Sequence, residues 1–356
     1  DLNMFNNRLS LTTDFYIRDT KGILGKGKSL PSIYGASEPQ MNANNLRTKG
    51  YELVLGWRDS FKLAGSTFSY GITGTFSDYT AEYTKCDNPT GLIGDPYVGK
   101  KYGEIWGYKV DGLFRNDKEA AEYASRIDLS TVASGYYTAT GAYGKGVRGG
   151  DIKYLDLNGD NIVNGGKGTL DDPGDRRVIG NSSPRYQYGA SLNFSWYGFD
   201  VSVFMQGIGR LDWYPGADNL RFWGPYCRPY ATFVPKNFMS QVWSEENPDA
   251  YFPRARAYTS LNSNSGTAYY TNDRYLQNLA YCRLKNLTIG YTIPRRLTSK
   301  VGIKECRIYF SGENLATWSA LKSDFLDPEQ AAADSDKKAN VYPWCKTYSI
   351  GLNLTF

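Results

Sequence analysis

Residues 185–207 read RYQYGASLNFSWYGFDVSVFMQG, and this stretch decides the fold. Along its first arm Tyr186, Tyr188, Ala190, Leu192, Phe194 and Trp196 alternate with Arg185, Gln187, Gly189, Ser191, Asn193 and Ser195. Successive side chains of a strand point to opposite faces, so one face of this arm is apolar and the other polar. Tyr197 and Gly198 supply a tight turn, and Phe199, Val201, Val203 and Met205 carry the apolar face along a second arm.

The pattern recurs along the chain. Leu9, Leu11, Phe15 and Ile17 alternate, then Tyr51, Leu53, Leu55 and Trp57, then Phe68, Tyr70, Ile72 and Phe76, whose neighbours Ser69, Gly71, Thr73, Thr75 and Ser77 are small. Two further arms lie near LKNLTIGYTIP and CRIYFSGEN, and the chain closes on YSIGLNLTF, with Tyr348, Ile350, Leu352, Leu354 and Phe356 on one face. About eight strands follow, several of about ten residues or more, whereas strands of ordinary globular domains run about five or six and tilted membrane strands need about nine to eleven. The connections alternate between short (59–65, 197–198, 294–304) and long (19–49, 80–183, 208–273, 314–343). That asymmetry is the pattern of an antiparallel transmembrane β-barrel with tight turns at one end and long outer loops at the other. Tyr186, Trp196, Tyr197, Tyr291, Trp344 and Phe356 fall at strand ends, where aromatic girdles meet the lipid interfaces. A secreted glycan-binding β-sandwich is the competing architecture, since alternation alone also suits a sandwich core.

Composition narrows the chemistry. Aromatic residues make up 15% of the 356 residues, with 30 Tyr and 38 Gly, a bias toward strands and turns. No apolar run reaches the ~18 residues of a membrane-spanning helix. The net charge of +5 arises from interspersed charges without basic runs, which argues against a nucleic-acid partner. The absence of histidine removes the usual general base of hydrolases, and the paired acids Glu245/Glu246 and Asp171/Asp172 lie in polar loops, so no enzyme is expected. Cys86, Cys227, Cys282, Cys306 and Cys345 are scattered, with neither a disulfide framework nor zinc spacing. The opening DLNMFNNRLSLTTDFYIRD has no leader and reads as mid-domain sequence, the beginning of a piece of a longer protein.

Several blocks, in this order, resemble the SusC/RagA family of TonB-dependent outer-membrane transporters of Bacteroidetes-type bacteria: YGEIWGYKVDGLFRNDKEA (102–120), GDIKYLDLNGDNIVN (150–164), RRVIGNSSPRYQYGASLNFSWYGFDVSVFMQG (176–207), RLKNLTIGYTIP (283–294), RIYFSGENLATWS (307–319) and the closing YPWCKTYSIGLNLTF. The resemblance implies the C-terminal part of a barrel of roughly 22 strands, of which about the last eight are present, with the plug, TonB box and remaining strands supplied elsewhere. It implies nutrient import powered through TonB, with a SusD-like surface lipoprotein as lid and transporter–lipoprotein pairs that dimerise. The implied cargo is an oligosaccharide, or a peptide as in the RagA branch, and lipid or lipopolysaccharide would surround the wall. Residues 80–183 and 211–273 would be outer loops.

Candidate sites follow. In the aromatic loop Trp213, Tyr214, Phe222, Trp223, Tyr226 and Tyr230 are expected to contact a ligand or partner, with packing against the barrel mouth as the alternative. On the polar faces Arg185, Gln187, Asn193, Asp200, Gln206, Asn286 and Asn353 are expected to line the lumen, Asp200 opposite Arg185 being a pair or a plug or cargo contact. Asp156, Asn158 and Asp160, with the Ile162 carbonyl, match ligand positions one, three, five and seven of a calcium loop, although Lys167 stands where the twelfth position needs an acid. Asx turns are the competing account of that loop. The terminal row ending at Phe356 resembles the signal by which outer-membrane barrels are assembled, so Phe356 is expected to be a true end.

Overall fold

The computed structural model describes residues 1–26, 33, 35, 39–137, 146–227, 234–256, 268–323, 325–333 and 341–356. Its strands are β1 (Leu2–Met4), β2 (Leu9–Lys26), β3 (Gln40–Leu63), β4 (Ser66–Lys85), β5 (Glu104–Gly107), β6 (Val110–Leu113), β7 (Ile152–Tyr154), β8 (Arg177–Asn181), β9 (Arg185–Trp196), β10 (Phe199–Arg210), β11 (Asp212–Trp213), β12 (Gln277–Asn278), β13 (Tyr281–Thr292), β14 (Glu305–Ser319) and β15 (Thr347–Thr355). Among the described residues the longest helix, α1, runs over Asp117–Ala124, and four-residue helical turns lie at Ser134–Tyr137, Leu220–Trp223, Arg295–Thr298 and Pro328–Ala331. None of the described helices is long and apolar enough to cross a membrane.

Nine strands form one antiparallel sheet in the order β1-β2-β3-β4-β9-β10-β13-β14-β15. Apart from the three-residue β1, its members run from 9 to 24 residues. The twelve residues of β9 extend about 40 Å at ~3.3 Å each, which a ~45° tilt converts into a climb of about 28 Å. That height matches the ~25 Å apolar band of an outer-membrane barrel. The connection expected at 19–49 is largely strand instead: β2 and β3 stay paired out to Lys26 opposite Gln40. Pairing continues because an extended ribbon satisfies its own backbone groups and needs no loop.

The register aligns the alternation of each strand with its neighbours. Phe199, Tyr291, Ile308 and Leu352 stand opposite one another across β10, β13, β14 and β15. The next row is Tyr70, Phe194, Val201, Ile289, Phe310 and Ile350, and the one beyond it Trp57, Ile72, Leu192, Val203 and Leu287. The opposite face carries Asn193 with Ser202, Thr288, Ser311 and Ser349. A slip of one residue would exchange the faces, so the shared pattern itself fixes the register.

Two of the short connections are two-residue turns of the same kind. Ala64 and Gly65 have φ of 48° and 84°, and Tyr197 and Gly198 have 48° and 83°. Two successive positive φ values give the twist that suits a tight hairpin, which is why glycine occupies each second position. The turns are tied together, as the Tyr197 hydroxyl donates to the Ala64 carbonyl and Trp196 Nε1 donates to that of Leu63 at 3.3 Å.

The long connections gather at the other end and are themselves folded. The pairs β5 with β8, β6 with β7 and β11 with β12 form small sheets. Asn116 caps α1, its side chain accepting from Glu119 N at 2.9 Å. Between these elements lies a core that includes Phe114, Tyr136, Ile152, Tyr154, Val163, Trp223, Phe252 and Tyr275.

Candidate functional site: the loop layer and the polar face

The aromatic loop follows β10 directly, and β11 turns it back against β12. Asn219 caps the helical turn Leu220–Trp223 by accepting from Phe222 N at 3.0 Å, and this turn aims Phe222 and Trp223 inward. Trp223 lies edge-on to Phe222 and Tyr275, with centroids 4.7 and 5.1 Å away, and its Nε1 donates to the Gly216 carbonyl at 3.0 Å. The Tyr214 hydroxyl donates to the Ala268 carbonyl at 2.8 Å and accepts from Asn272 Nδ2 at 3.0 Å. The Tyr226 hydroxyl donates to the Pro253 carbonyl. Burial pushes the phenols of Tyr214, Tyr226 and Tyr275 up, so they remain protonated and keep these bonds at physiological pH.

This geometry corrects the expected exposure of the aromatic set. Trp213, Tyr214, Phe222, Trp223 and Tyr226 are all buried, and Tyr230 lies outside the described residues. Apolar surface in a water-facing loop gains more from covering itself than from waiting for a partner. No local pattern marks the groups that cover them, because Tyr251, Phe252 and Tyr275 arrive from 25 or more residues downstream of Tyr226. Trp213 belongs to a separate cluster with Leu211, Leu279 and Ala331.

Behind this core Asp151 is fully buried against Arg256, with Nη1 to Oδ2 at 2.7 Å and Arg148 N donating to the same oxygen at 2.7 Å. Its Oδ1 has no hydrogen-bond partner among the described residues. Burial outweighs the attraction of Arg256 and pushes the carboxyl up to about 7.

The loop at Asp156 is held by its own side chains. Asp156 accepts from Gly159 N at 2.7 Å and Asn161 N at 2.9 Å, Asn158 from Asp160 N at 3.1 Å, and Asp160 from Ile162 N at 2.9 Å. Asp175 closes the base, accepting from Leu157 N at 2.6 Å and Asn164 N at 2.9 Å. No group of three or more acids, cysteines or histidines placed to share an ion occurs among the described residues. These hydrogen bonds are the Asx turns expected as the competing account of the loop.

On the polar face of the sheet, Gln187, Asn193, Asp200, Gln206, Asn286 and Asn353 fall in the same set of rows. Arg185 and Asp200 do not meet. Asp200 binds Arg307 through both oxygens, at 2.9 and 2.5 Å. Arg185 takes Asp78, at 2.5 and 2.6 Å. Asp78 stands opposite Tyr51, in the apolar rows, and Arg185 lies over the ring of Tyr186. Tyr186 has a φ of 56°, which breaks the alternation there and turns Arg185 toward the apolar side at the loop end. Both pairs are bidentate forks between residues 107 apart in sequence, and no spacing rule could have matched them. A third cluster, missed by sequence reasoning, has Arg283 reaching Thr317 Oγ1 at 2.9 Å, Glu329 at 2.8 Å and Asp327 at 2.5 Å, with Lys285 on Glu329 at 2.7 Å. It fastens the last long connection to β13.

No family model matches the chain. Its whole length is 25% identical to the TonB-dependent receptor P3 and 26% identical to the TonB-dependent receptor P26, both of Formosa agariphila, covering 33% and 34% of those proteins. The chain thus spans about a third of the curated relatives it matches. Among solved structures, the RagAB peptide transporter matches 99% of the chain with a TM-score of 0.65 at 19% identity, covering 34% of the matched chain. The RagAB peptide importer in its closed-closed state matches with a TM-score of 0.61 at 20% identity, again over 99% of this chain and 34% of that one. At such identity the structures establish the fold: a single large antiparallel sheet that is an open section of a barrel wall. Sequence and fold together make the chain similar, over its whole length, to a part of TonB-dependent receptors, with a fold like that of the RagAB transporter.

Proposed function

We propose that the protein is an outer-membrane transporter that imports a large nutrient through TonB, and that this chain provides part of its wall and outer loops. The observation that carries this reading is the inverted burial of the sheet. Ile350 is 83% exposed and Phe15 83%, in rows with no second sheet against them among the described residues. Water would not tolerate such a face, and hydrocarbon favours it. The apolar face is therefore the lipid face, and the polar face with Asn193, Asp200, Gln206 and Asn353 the lumen. The terminal row of Tyr348, Ile350, Leu352, Leu354 and Phe356 serves as the assembly signal.

In this reading β1 and β15 pair with strands outside the chain, since unpaired edges are costly in lipid. A plug fills the lumen, and a SusD-like lipoprotein covers the loop layer as a lid. Binding and gating move the cargo, with no bond making. The cargo is an oligosaccharide. Peptide is the second reading, favoured by the peptide-transporting RagAB structures. Deleting the gene and measuring uptake of labelled oligosaccharides and peptides tests both: loss of oligosaccharide uptake alone supports the first, loss of peptide uptake alone the second. Loss of neither, or a protein monodisperse without detergent, overturns transport in favour of a secreted binding protein.

A further inference from the structure

Four rings from four neighbouring strands form a continuous band across the apolar face. Phe15 of β2 meets Tyr51 of β3 at 6.3 Å between centroids, Tyr51 meets Phe76 of β4 at 6.0 Å, and Phe76 meets Tyr186 of β9 at 6.4 Å. A second band lies at the tight-turn end, where Phe61 meets Phe68 at 5.3 Å and Phe68 meets Phe194 at 6.4 Å. Along β3 the stretch from Tyr51 to Phe61 covers about 33 Å at ~3.3 Å per residue, a height of about 23 Å at a tilt of ~45°. That height matches the ~25 Å apolar band of an outer-membrane barrel, so the two bands fit its aromatic girdles.

Just beyond the band at the loop end the face turns cationic. Lys49 stands between Ile17 and Thr80 in the next row toward the loops. Arg185 reaches the same region from β9, its Nε and Nη2 held by Asp78. A cleft of about 440 Å³ opens between the two rows, lined by Phe15, Tyr51, Ile17, Lys49, Thr80 and Arg185. Lys49 is exposed, and neither its ammonium nor Arg185 Nη1 has a hydrogen-bond or ion-pair partner among the described residues. The acids nearby are engaged: Arg47 holds Asp19, Arg185 holds Asp78, and Glu82 stands opposite Arg47 in the row beyond. Of the acids outside the described residues, Glu38 precedes Gln40, which lies about 30 Å along β3 from Lys49 at ~3.3 Å per residue. Asp324, Asp334 and Asp336 belong to the connection between β14 and β15, the strands four and five places from β4 in the sheet.

We infer that this cleft seats the phosphate of an acylated lipid of the outer leaflet, with the phosphate between Lys49 and Arg185 and an acyl chain along Ile17 and Phe15. The inference rests on the reading of the sheet as an outer-membrane wall. At this depth hydrocarbon gives way to headgroups, and a phosphomonoester carries about −1.5 to −2 charge near pH 7. An ammonium and a free guanidinium N–H both donate charge-assisted hydrogen bonds to its oxygens. Ile17 and Phe15, exposed on the same face, lie on the hydrocarbon side of those cations.

Native mass spectrometry of the complete barrel protein, released from nonionic-detergent micelles, tests this with dioleoyl phosphatidic acid against dioleoyl phosphatidylcholine. Half occupancy comes at an about tenfold or more lower fraction of phosphatidic acid, as charge-assisted hydrogen bonds imply. Lys49→Gln removes that preference with unchanged melting, Lys49→Arg keeps it, and Lys62→Gln, which removes the same charge beside the 64–65 turn, leaves it unchanged. Glycerol 3-phosphate, which has the phosphate without the acyl chains, does not displace the lipid; displacement at a concentration comparable to that of the lipid would overturn a lipid ligand. Equal binding of the two lipids, an undiminished preference in Lys49→Gln, or an equal loss in Lys62→Gln would overturn the inference and leave the membrane wall standing. A protein monodisperse without detergent would overturn both.

Discussion

Ile350 in β15 and Trp223 in the loop layer are both large apolar residues, yet one is 83% exposed and the other fully buried. The contrast holds region by region. In the sheet Phe15, Ile17, Tyr348 and Leu352 face outward, while in the loops Phe114, Tyr154, Phe252 and Tyr275 are enclosed. The same side-chain chemistry meets two solvents. Apolar groups hide from water wherever water is present, and the sheet has no reason to hide them in hydrocarbon. In the proposed reading, ordinary domain energetics govern the loops and membrane energetics govern the wall.

The largest test of this comparison is Trp223→Ala. Removing a fully buried indole should cost the loop layer about 3–5 kcal/mol, read as a lower melting transition and faster loop proteolysis while the barrel still assembles. Next, Leu192→Arg places a charge in the middle of the apolar rows and should cost ~2–4 kcal/mol at the bilayer midplane, read as lost assembly into the outer membrane. Asn193→Arg, one residue along on the polar face, should assemble normally. If both variants or neither assembled, the assignment of faces would fail.

Acidity offers a smaller effect confined to the loops. The Asp151 carboxyl is raised to about 7 in the folded protein and has its ordinary value near 3.8 when unfolded. Between those values the folded state holds the extra proton, so stability falls as pH rises from about 4 to about 7 and is greatest at the acid end. Loop-layer melting should therefore rise on acidification from pH 8 to pH 5, and Asp151→Asn should flatten that dependence. Smallest of all, EDTA should leave the melting of the loop at Asp156 unchanged, because its Asx turns already satisfy the backbone. A calcium-dependent rise in melting would establish the metal instead.

Legibility in the sequence also divides along this line. The eight long arms were readable because a period of two survives whatever lies across the sheet, and each arm carries its own evidence. Residues 19–49 read as a connection because Thr20 to Lys26 lack clean alternation, although they pair with β3. The loop core was invisible. Phe222, Trp223 and Tyr226 look like free contact residues until Tyr251, Phe252 and Tyr275 arrive to cover them. Arg185 and Asp200 looked like partners until Tyr186 turned one away and Arg307 took the other.

By itself the sequence determined the alternation, hence the strands, the faces and the register between neighbours, because these depend on a local period that pairing must respect. Tertiary structure alone decided which aromatic groups are buried and which charges neutralise one another. Those outcomes depend on contacts between residues tens to hundreds of positions apart, and no local pattern records them.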